Sequence, residues 1–344
     1  MRIARLRVGL LLATLVASLH VAAETRYWTL DGVQFEDGAV ATGYFSLDDA
    51  TGFIATWHVR VSGGAGPFMP WTFVPGNSHI IGALDVYSYT PDLDPARQPG
   101  DAASFWWREL NITPLVQFDG RSTTVSLNLC HDCPPVPYPS GRTVEYFSDD
   151  NHAVGSSRKV TAGSFVLTPV PPPVTIVQVD EFYHRALRHY FITADAAEKQ
   201  LLDTGVHPGW ERTGESFKAY ATGSPADGFI GPVCRYYGKP ERGLDSHFHS
   251  AAGKTQDPPE CVSVFVKFRS DWLLDSDNVF QIGLPDTKTG ACPSQTVPVY
   301  RVWNQRDDSN HRYTTSLVIK AQMIASGYVA EGYGPDGVVM CAVQ

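Results

Sequence analysis

Basic residues are scarce in this chain: 27 Lys and Arg stand against 36 Asp and Glu, a formal charge of −9. No Lys/Arg cluster offsets that balance, and an acidic surface repels phosphate backbones and anionic lipid, so no nucleic acid partner is expected. Catalytic signatures are lacking as well. There is no Gly-x-Ser-x-Gly elbow, and no histidine begins a His-Glu-x-x-His zinc helix. Gly253-Lys254-Thr255 resembles the end of a phosphate loop, but Phe248 stands where its first glycine belongs. Gly332, Gly334 and Gly337 fit Gly-x-Gly-x-x-Gly, yet Pro335 lies inside and too little chain follows for the helix a dinucleotide site needs. No catalytic residue, cofactor or metal is therefore assigned from motifs.

Long apolar runs are absent except at the start, where Arg2, Arg5 and Arg7 precede an apolar run over residues 8–17 and then Val21-Ala22-Ala23. This pattern is that of a secretory signal over residues 1–23. Ser18 and His20 interrupt the run well short of the ~20 residues a membrane helix requires. The expected location is secreted or periplasmic, with no membrane span after signal removal. Loss of three Arg and no acid would take the formal charge to −12.

Six cysteines, an even number in an oxidising compartment, read first as bridges. Cys130 and Cys133 precede a proline-rich run, Pro134-Pro135-Val136-Pro137, through which no helix can continue. A redox role needs a helix N-terminus, so a tight structural bridge is the better reading. The expected pairs are Cys130–Cys133, Cys234–Cys261 and Cys292–Cys341.

About 320 residues beyond the signal exceed one ordinary core and predict two domains. Residues 24–168 read as short runs of β-branched and aromatic residues between Gly, Asp, Ser and Pro, as in Thr56-Trp57-His58-Val59-Arg60-Val61. That texture predicts an all-β sandwich or partly closed barrel. Residues 169–176 form a proline-rich linker. Beyond it helical patterns enter: Asp195-Ala196-Ala197-Glu198 reads as a capping box, with Leu201 and Leu202 as the buried side and Gly205 as the C-cap. Leu317, Ala321 and Ile324 recur at helical spacing, closed by Gly327.

Three stretches align in residues 177–344. Phe182-Tyr183 leads to His189-Tyr190-Phe191-Ile192-Thr193, Tyr236-Tyr237 to His247-Phe248-His249-Ser250, and Val302-Trp303 to His311-Arg312-Tyr313-Thr314. Units of about 178–230, 231–295 and 296–344 predict a C-terminal α+β domain with pseudo-threefold repeat. The third stretch, with Val299-Tyr300-Arg301-Val302-Trp303-Asn304 and the later Gly327-Tyr328-Val329-Ala330-Glu331-Gly332-Tyr333, resembles the secreted repeat family known as domain of unknown function 5648. That resemblance implies attachment to exported proteins and no established activity. Tyr27-Trp28-Thr29-Leu30-Asp31-Gly32-Val33 resembles, more loosely, the β-rich domain of exosortase-sorted secreted proteins.

His189, His247 and His311 are the residues kept in every stretch. Three imidazoles can bind zinc or one can act as a base, but a residue kept in all three copies is more simply explained by a structural hydrogen-bonding task. Asp275-Ser276-Asp277-Asn278 suggests calcium, yet Phe280 stands where an EF-hand loop needs glycine, so a solvated acidic turn is the better reading. Trp106 and Trp107, adjacent on a strand, should point to opposite faces. Trp210, Trp272, Trp303 and Tyr328 are the aromatic candidates for binding, because exposed rings stack on sugar faces or peptide side chains. The expectation is a secreted non-catalytic binding or structural module, with a carbohydrate or cell-envelope polymer as partner. The rival is a secreted hydrolase using Asp85, Glu109 or Glu145 with His58, His79 or His152.

Overall fold

Buried and exposed positions alternate over parts of the first half, as in residues 28–35 and 124–126, the pattern of antiparallel strands with one face on a core. A computed structural model describes residues 25–48, 51–64, 68, 70–75, 77–81, 85–91, 105–118, 121–129, 143–148, 154–170, 172–225, 229–251 and 271–344. The signal segment, Cys130, Cys133, His152, residues 253–255 and Cys261 lie outside the described residues, as do the side chains of Asp85, Trp106 and Trp107.

Among the described residues the first sheet has ten strands. β1 (Thr25–Phe35), β2 (Val40–Asp48), β3 (Ile54–Ser62) and β4 (Trp71–Phe73) follow one another outward on one side of the fifteen-residue β10 (Val154–Thr168). On the other side come β9 (Val144–Ser148), β7 (Phe105–Asn111), β6 (Asp85–Pro91) and β5 (His79–Ile81), with β8 (Thr124–Ser126) also paired to β10. Trp28, Phe45, Trp57, Val59, Phe73, Leu110 and Phe165 form its core. On β3, Trp57, Val59 and Val61 join that core, whereas His58 and Arg60 face the second half of the chain. His58 Nε2 donates to the Thr222 carbonyl, and Arg60 lies 3.1 Å from Asp277.

Among the described residues the second sheet has eleven strands. Its main path runs β12 (His189–Thr193), β11 (Ile176–His184), β13 (Trp210–Tyr220), β17 (Gln281–Gly283), β21 (Val338–Val343), β18 (Thr296–Trp303), β19 (His311–Thr314). β14 (Ile230–Gly238) pairs with β15 (His247–Ala251), β16 (Trp272–Ser276) and β17, and β20 (Val329–Glu331) pairs with β18. Each aligned stretch is an antiparallel hairpin with its histidine opening the second strand, opposite His184, Tyr237 and Trp303 respectively.

The expected fold classes need correction. The first half is one continuous antiparallel sheet, because β10 carries β1 along one edge and β9 and β8 along the other. No α+β repeat domain is present in the second half: across both halves the described residues are 54 % strand and 8 % helix, in two curled antiparallel sheets, one in each half. Among its described residues the two α-helices, α1 (Ala196–Asp203) and α2 (Leu317–Ala325), are only interludes. α1 buries Leu202 alone, while Leu201 is exposed. α2 buries Lys320 and Met323 and turns its expected inner residues, Leu317 and Ile324, to solvent. The core comes instead from strand residues such as Val179, Ile192, Phe217, Phe280, Val299 and Met340.

Cys292 and Cys341 are bridged, with Cα atoms 5.6 Å apart, closing the loop before β18 onto β21. Cys234 is also disulfide-bonded, to a cysteine outside the described residues. Among the described residues no helix is long and apolar enough to cross a membrane.

Candidate functional site

A cleft of about 510 Å³ opens where the first two hairpins meet α1 and the start of β13. Pockets for small ligands span about 300–1,000 Å³, so one sugar-sized unit fits. Its walls derive from local sequence constraints. Gly209 has φ +91°, and a Cβ there would stand 2.3 Å from the His184 ring, so only glycine lets the chain enter β13 at this point. The next residue, Trp210, then lies opposite His184 on β11, with ring centroids 5.2 Å apart and nearly perpendicular. Phe191 meets Trp210 edge-on at 5.9 Å and the His247 ring at 4.8 Å. Tyr237 lies 5.0 Å from the other side of His247.

Charge enters from three elements. Glu198, on the first turn of α1, receives both terminal nitrogens of Arg235 at 2.9 and 2.7 Å and the Thr193 hydroxyl at 2.6 Å. The Nε–H of Arg235 donates to Asp275 of β16. Burial works to raise the Glu198 carboxyl, but the Arg235 fork and Thr193 outweigh it and hold it below its ordinary value. The capping box is thus half made. Asp195 accepts from the Glu198 amide at 2.8 Å, while the Glu198 side chain is diverted to Arg235, and Thr193 takes the Asp195 amide at 3.0 Å. Asp245 completes the lining; it accepts from the Tyr237 hydroxyl at 2.8 Å. Burial and that carboxylate push the Tyr237 phenol up to about 12.

The three aligned histidines have different surroundings. His189 is buried, donates from Nδ1 to the Asp245 carbonyl at 3.2 Å and has Asp308 3.1 Å from Nε2. His311 is buried, with Nε2 3.2 Å from Glu331 and the Phe248 ring 4.7 Å away. Glu331, shared with Arg301 at 3.0 Å, is pushed up by burial and drawn further down by His311 and Arg301. His247 instead lines the cleft. Burial, with Arg235 nearby, lowers its imidazole to about 4. Among the described residues no group of three or more His, Cys, Asp or Glu is placed to hold a metal ion.

The aromatic candidates also separate. Trp210 is half-buried in the cleft wall, and its indole N–H makes no hydrogen bond among the described residues. Trp272, at the equivalent strand start, sits opposite Gly238. With no side chain there, the indole drops into a small core with Tyr236, Leu244 and Phe248. Trp303 donates its indole N–H to Ser309 at 3.1 Å, and Tyr328, half-buried, is outside the cleft.

Of the residues weighed for hydrolysis, Glu145 is fully buried between Arg108 and Arg158, at 2.7 and 2.6 Å, and His58 is committed to Thr222. Glu109 is half-buried on β7 and His79 is exposed on β5. Asp275 and Asp277 of the acidic turn point to different partners, Arg235 and Arg60.

A second cleft, of about 980 Å³, lies along residues 283–296 beside Tyr220 and Phe229. Its one carboxylate, Asp286, is spent on its own turn, accepting from Lys288 and Thr289. Of these two clefts, the smaller is the one that gathers rings, histidines and carboxylates.

The sequence offered Trp210 as a binding candidate and His247 as a structural repeat residue; both line the cleft, together with Phe191, Tyr237 and Asp245, which the sequence did not single out as site residues. Phe191 and Tyr237 were read only as bulky members of the repeat; Asp245 falls in the variable loop between β14 and β15, where no pattern marks it.

Residues 283–337 match the family model of a domain of unknown function, DUF5648. The DUF5648 segment contains β18, β19, α2 and β20 and excludes the cleft. No match supports the likeness of the first half to exosortase-sorted proteins. No curated protein and no solved structure matches the chain.

Proposed function

We propose that the protein is an exported, non-catalytic binding module that grips one saccharide unit of an extracellular polymer in the cleft beside α1. The observation that carries this reading is Trp210: a half-buried indole in a concave wall, with an unspent N–H and with Phe191 and Tyr237 lining the same space. Flat apolar rings suit the C–H face of a pyranose, and the surrounding polar groups suit its hydroxyls. The disulfide between Cys292 and Cys341 fits an oxidising compartment. Binding is favoured over hydrolysis within this cleft because Glu198 is held ionised by Arg235, whereas a glycosidase acid needs a raised carboxyl.

Affinity electrophoresis of the full chain through gels containing neutral, basic or acidic polysaccharides tests the reading. At least one polysaccharide should retard the protein, and Trp210→Ala should remove most of that retardation. Uniform migration in every gel, or retardation indifferent to Trp210→Ala, would overturn it.

A further inference from the structure

We infer that the cleft selects a saccharide unit bearing a protonated amine, with Asp245 as the anionic anchor and His247 reading a neighbouring hydroxyl. This rests on the proposed saccharide site and narrows its ligand. Three carboxylates line the cleft, and Arg235 answers two of them, Glu198 and Asp275. Asp245 has no Lys or Arg within ion-pair distance among the described residues; its side chain meets only the Tyr237 hydroxyl at 2.8 Å. That phenol remains protonated far above neutral pH, so it steadies the carboxylate without cancelling its charge. The wall is therefore left anionic beside aromatic rings, and both features attract a cation.

The second observation is independent of charge. His247 has the Phe191 and Tyr237 rings 4.8 and 5.0 Å away and lines the cleft, yet neither of its ring nitrogens makes a hydrogen bond among the described residues. A neutral imidazole holds one donor and one acceptor, and on the cleft wall both remain open to a ligand. A ligand hydroxyl, which can both give and accept, suits that pair better than a carboxylate or a purely apolar group. Rings, a carboxylate and a donor-acceptor imidazole together describe an amino sugar.

Titration calorimetry on the full chain, at about pH 6 where the histidine range begins, decides the matter with three probes of equal length. These are a glucosamine oligomer, its N-acetylated counterpart and a lysine oligomer. The glucosamine oligomer should bind about tenfold more tightly than the acetylated one, a difference of about 1.4 kcal/mol. Asp245→Asn should bring that ratio toward one. Asparagine tolerates the left-handed backbone at this position, φ +38°, and keeps the acceptor for Tyr237, so the variant tests charge rather than folding. Equal or tighter binding of the acetylated oligomer would overturn the amine preference while leaving the saccharide site standing. A lysine oligomer that binds as well as glucosamine would overturn the sugar assignment. If neither sugar binds, or both ignore Trp210→Ala, the underlying saccharide reading fails.

Discussion

Glu145 in the first sheet and Glu198 in the cleft are both carboxylates gripped by guanidinium groups, yet their surroundings differ completely. Glu145 is wholly buried, with Arg108 at 2.7 Å and Arg158 at 2.6 Å, and Arg158 reaches on to Asp37 at 2.9 Å. The Phe35 and Phe68 rings lie 4.6 and 4.3 Å from the Arg158 guanidinium. Every charge there is answered by another, as low-dielectric burial demands. In the cleft, Arg235 answers two carboxylates and Asp245 is left over. A closed network holds strands together; an incomplete one at a surface cleft presents something for a ligand to complete.

The largest effect should come from breaking the closed network. Glu145→Gln takes the carboxylate from buried Arg108 and leaves Arg158 with Asp37 alone, and should destabilise the first sheet by about 3–5 kcal/mol. Chemical denaturation followed by tryptophan fluorescence measures this directly. Next comes the second-half staple. Replacing Cys292 and Cys341 together with Ser opens a loop with sequence separation 49. Loss of the loop constraint should cost about 2–4 kcal/mol. A stability change below about 1 kcal/mol in either experiment would contradict the assigned role.

How far these contrasts could be read from the sequence differs between the two halves. Strand positions in the first half follow from alternation, which is local: Trp57, Val59 and Val61 turn inward because their neighbours do not. How the strands assemble is not local, and the continuous sheet depends on β10 being long enough to carry partners at both ends. In the second half the helical signals at α1 and α2 are genuine, with Asp195 and Ser316 as N-caps and Gly205 and Gly327 in the left-handed region. They misled about fold class because a short helix can satisfy its own caps without supplying the core. On α2 the apolar stripe faces outward, while Lys320 lies 4.6 Å over the Tyr300 ring, a pairing that hydrophobic periodicity does not reveal. At the site, the aligned histidines were visible, but their separate partners, Asp308 and Glu331 on loops and strands far along the chain, were not.

Those histidines give the intermediate effects. His189→Ala and His311→Ala each remove a buried ring from acceptors and should cost about 1–3 kcal/mol, read as a lower melting temperature. His247→Ala should cost less stability and more ligand affinity. Acid should sharpen the same contrast. His247 and His249 both have imidazoles lowered by burial, to about 4 for His247 and well below the ordinary value of 6.5 for His249. Since the unfolded chain then binds protons more readily, stability is full above about pH 6.5 and declines as pH falls toward 4. In His247→Ala that decline should be shallower. A melting temperature flat between these limits would contradict the buried, neutral state of both rings.

The smallest effect is the sharpest test of the opening comparison. Asp245 is exposed and without a basic partner, so Asp245→Asn removes a charge that stabilises nothing in the unliganded protein. Asparagine preserves the acceptor for Tyr237 and suits φ +38°. The melting temperature should move by no more than about 0.5 kcal/mol implies, against the several kcal/mol expected at Glu145. The Tyr237 phenol, relieved of the Asp245 charge and still raised by burial and by Glu241, should titrate below about 12, which ultraviolet difference spectroscopy detects. A destabilisation as large as that of Glu145→Gln would mean that Asp245 belongs to a closed structural network after all. A neutral result together with the downward phenol shift places its negative charge at the cleft wall, outside any structural ion pair and open to a cationic ligand.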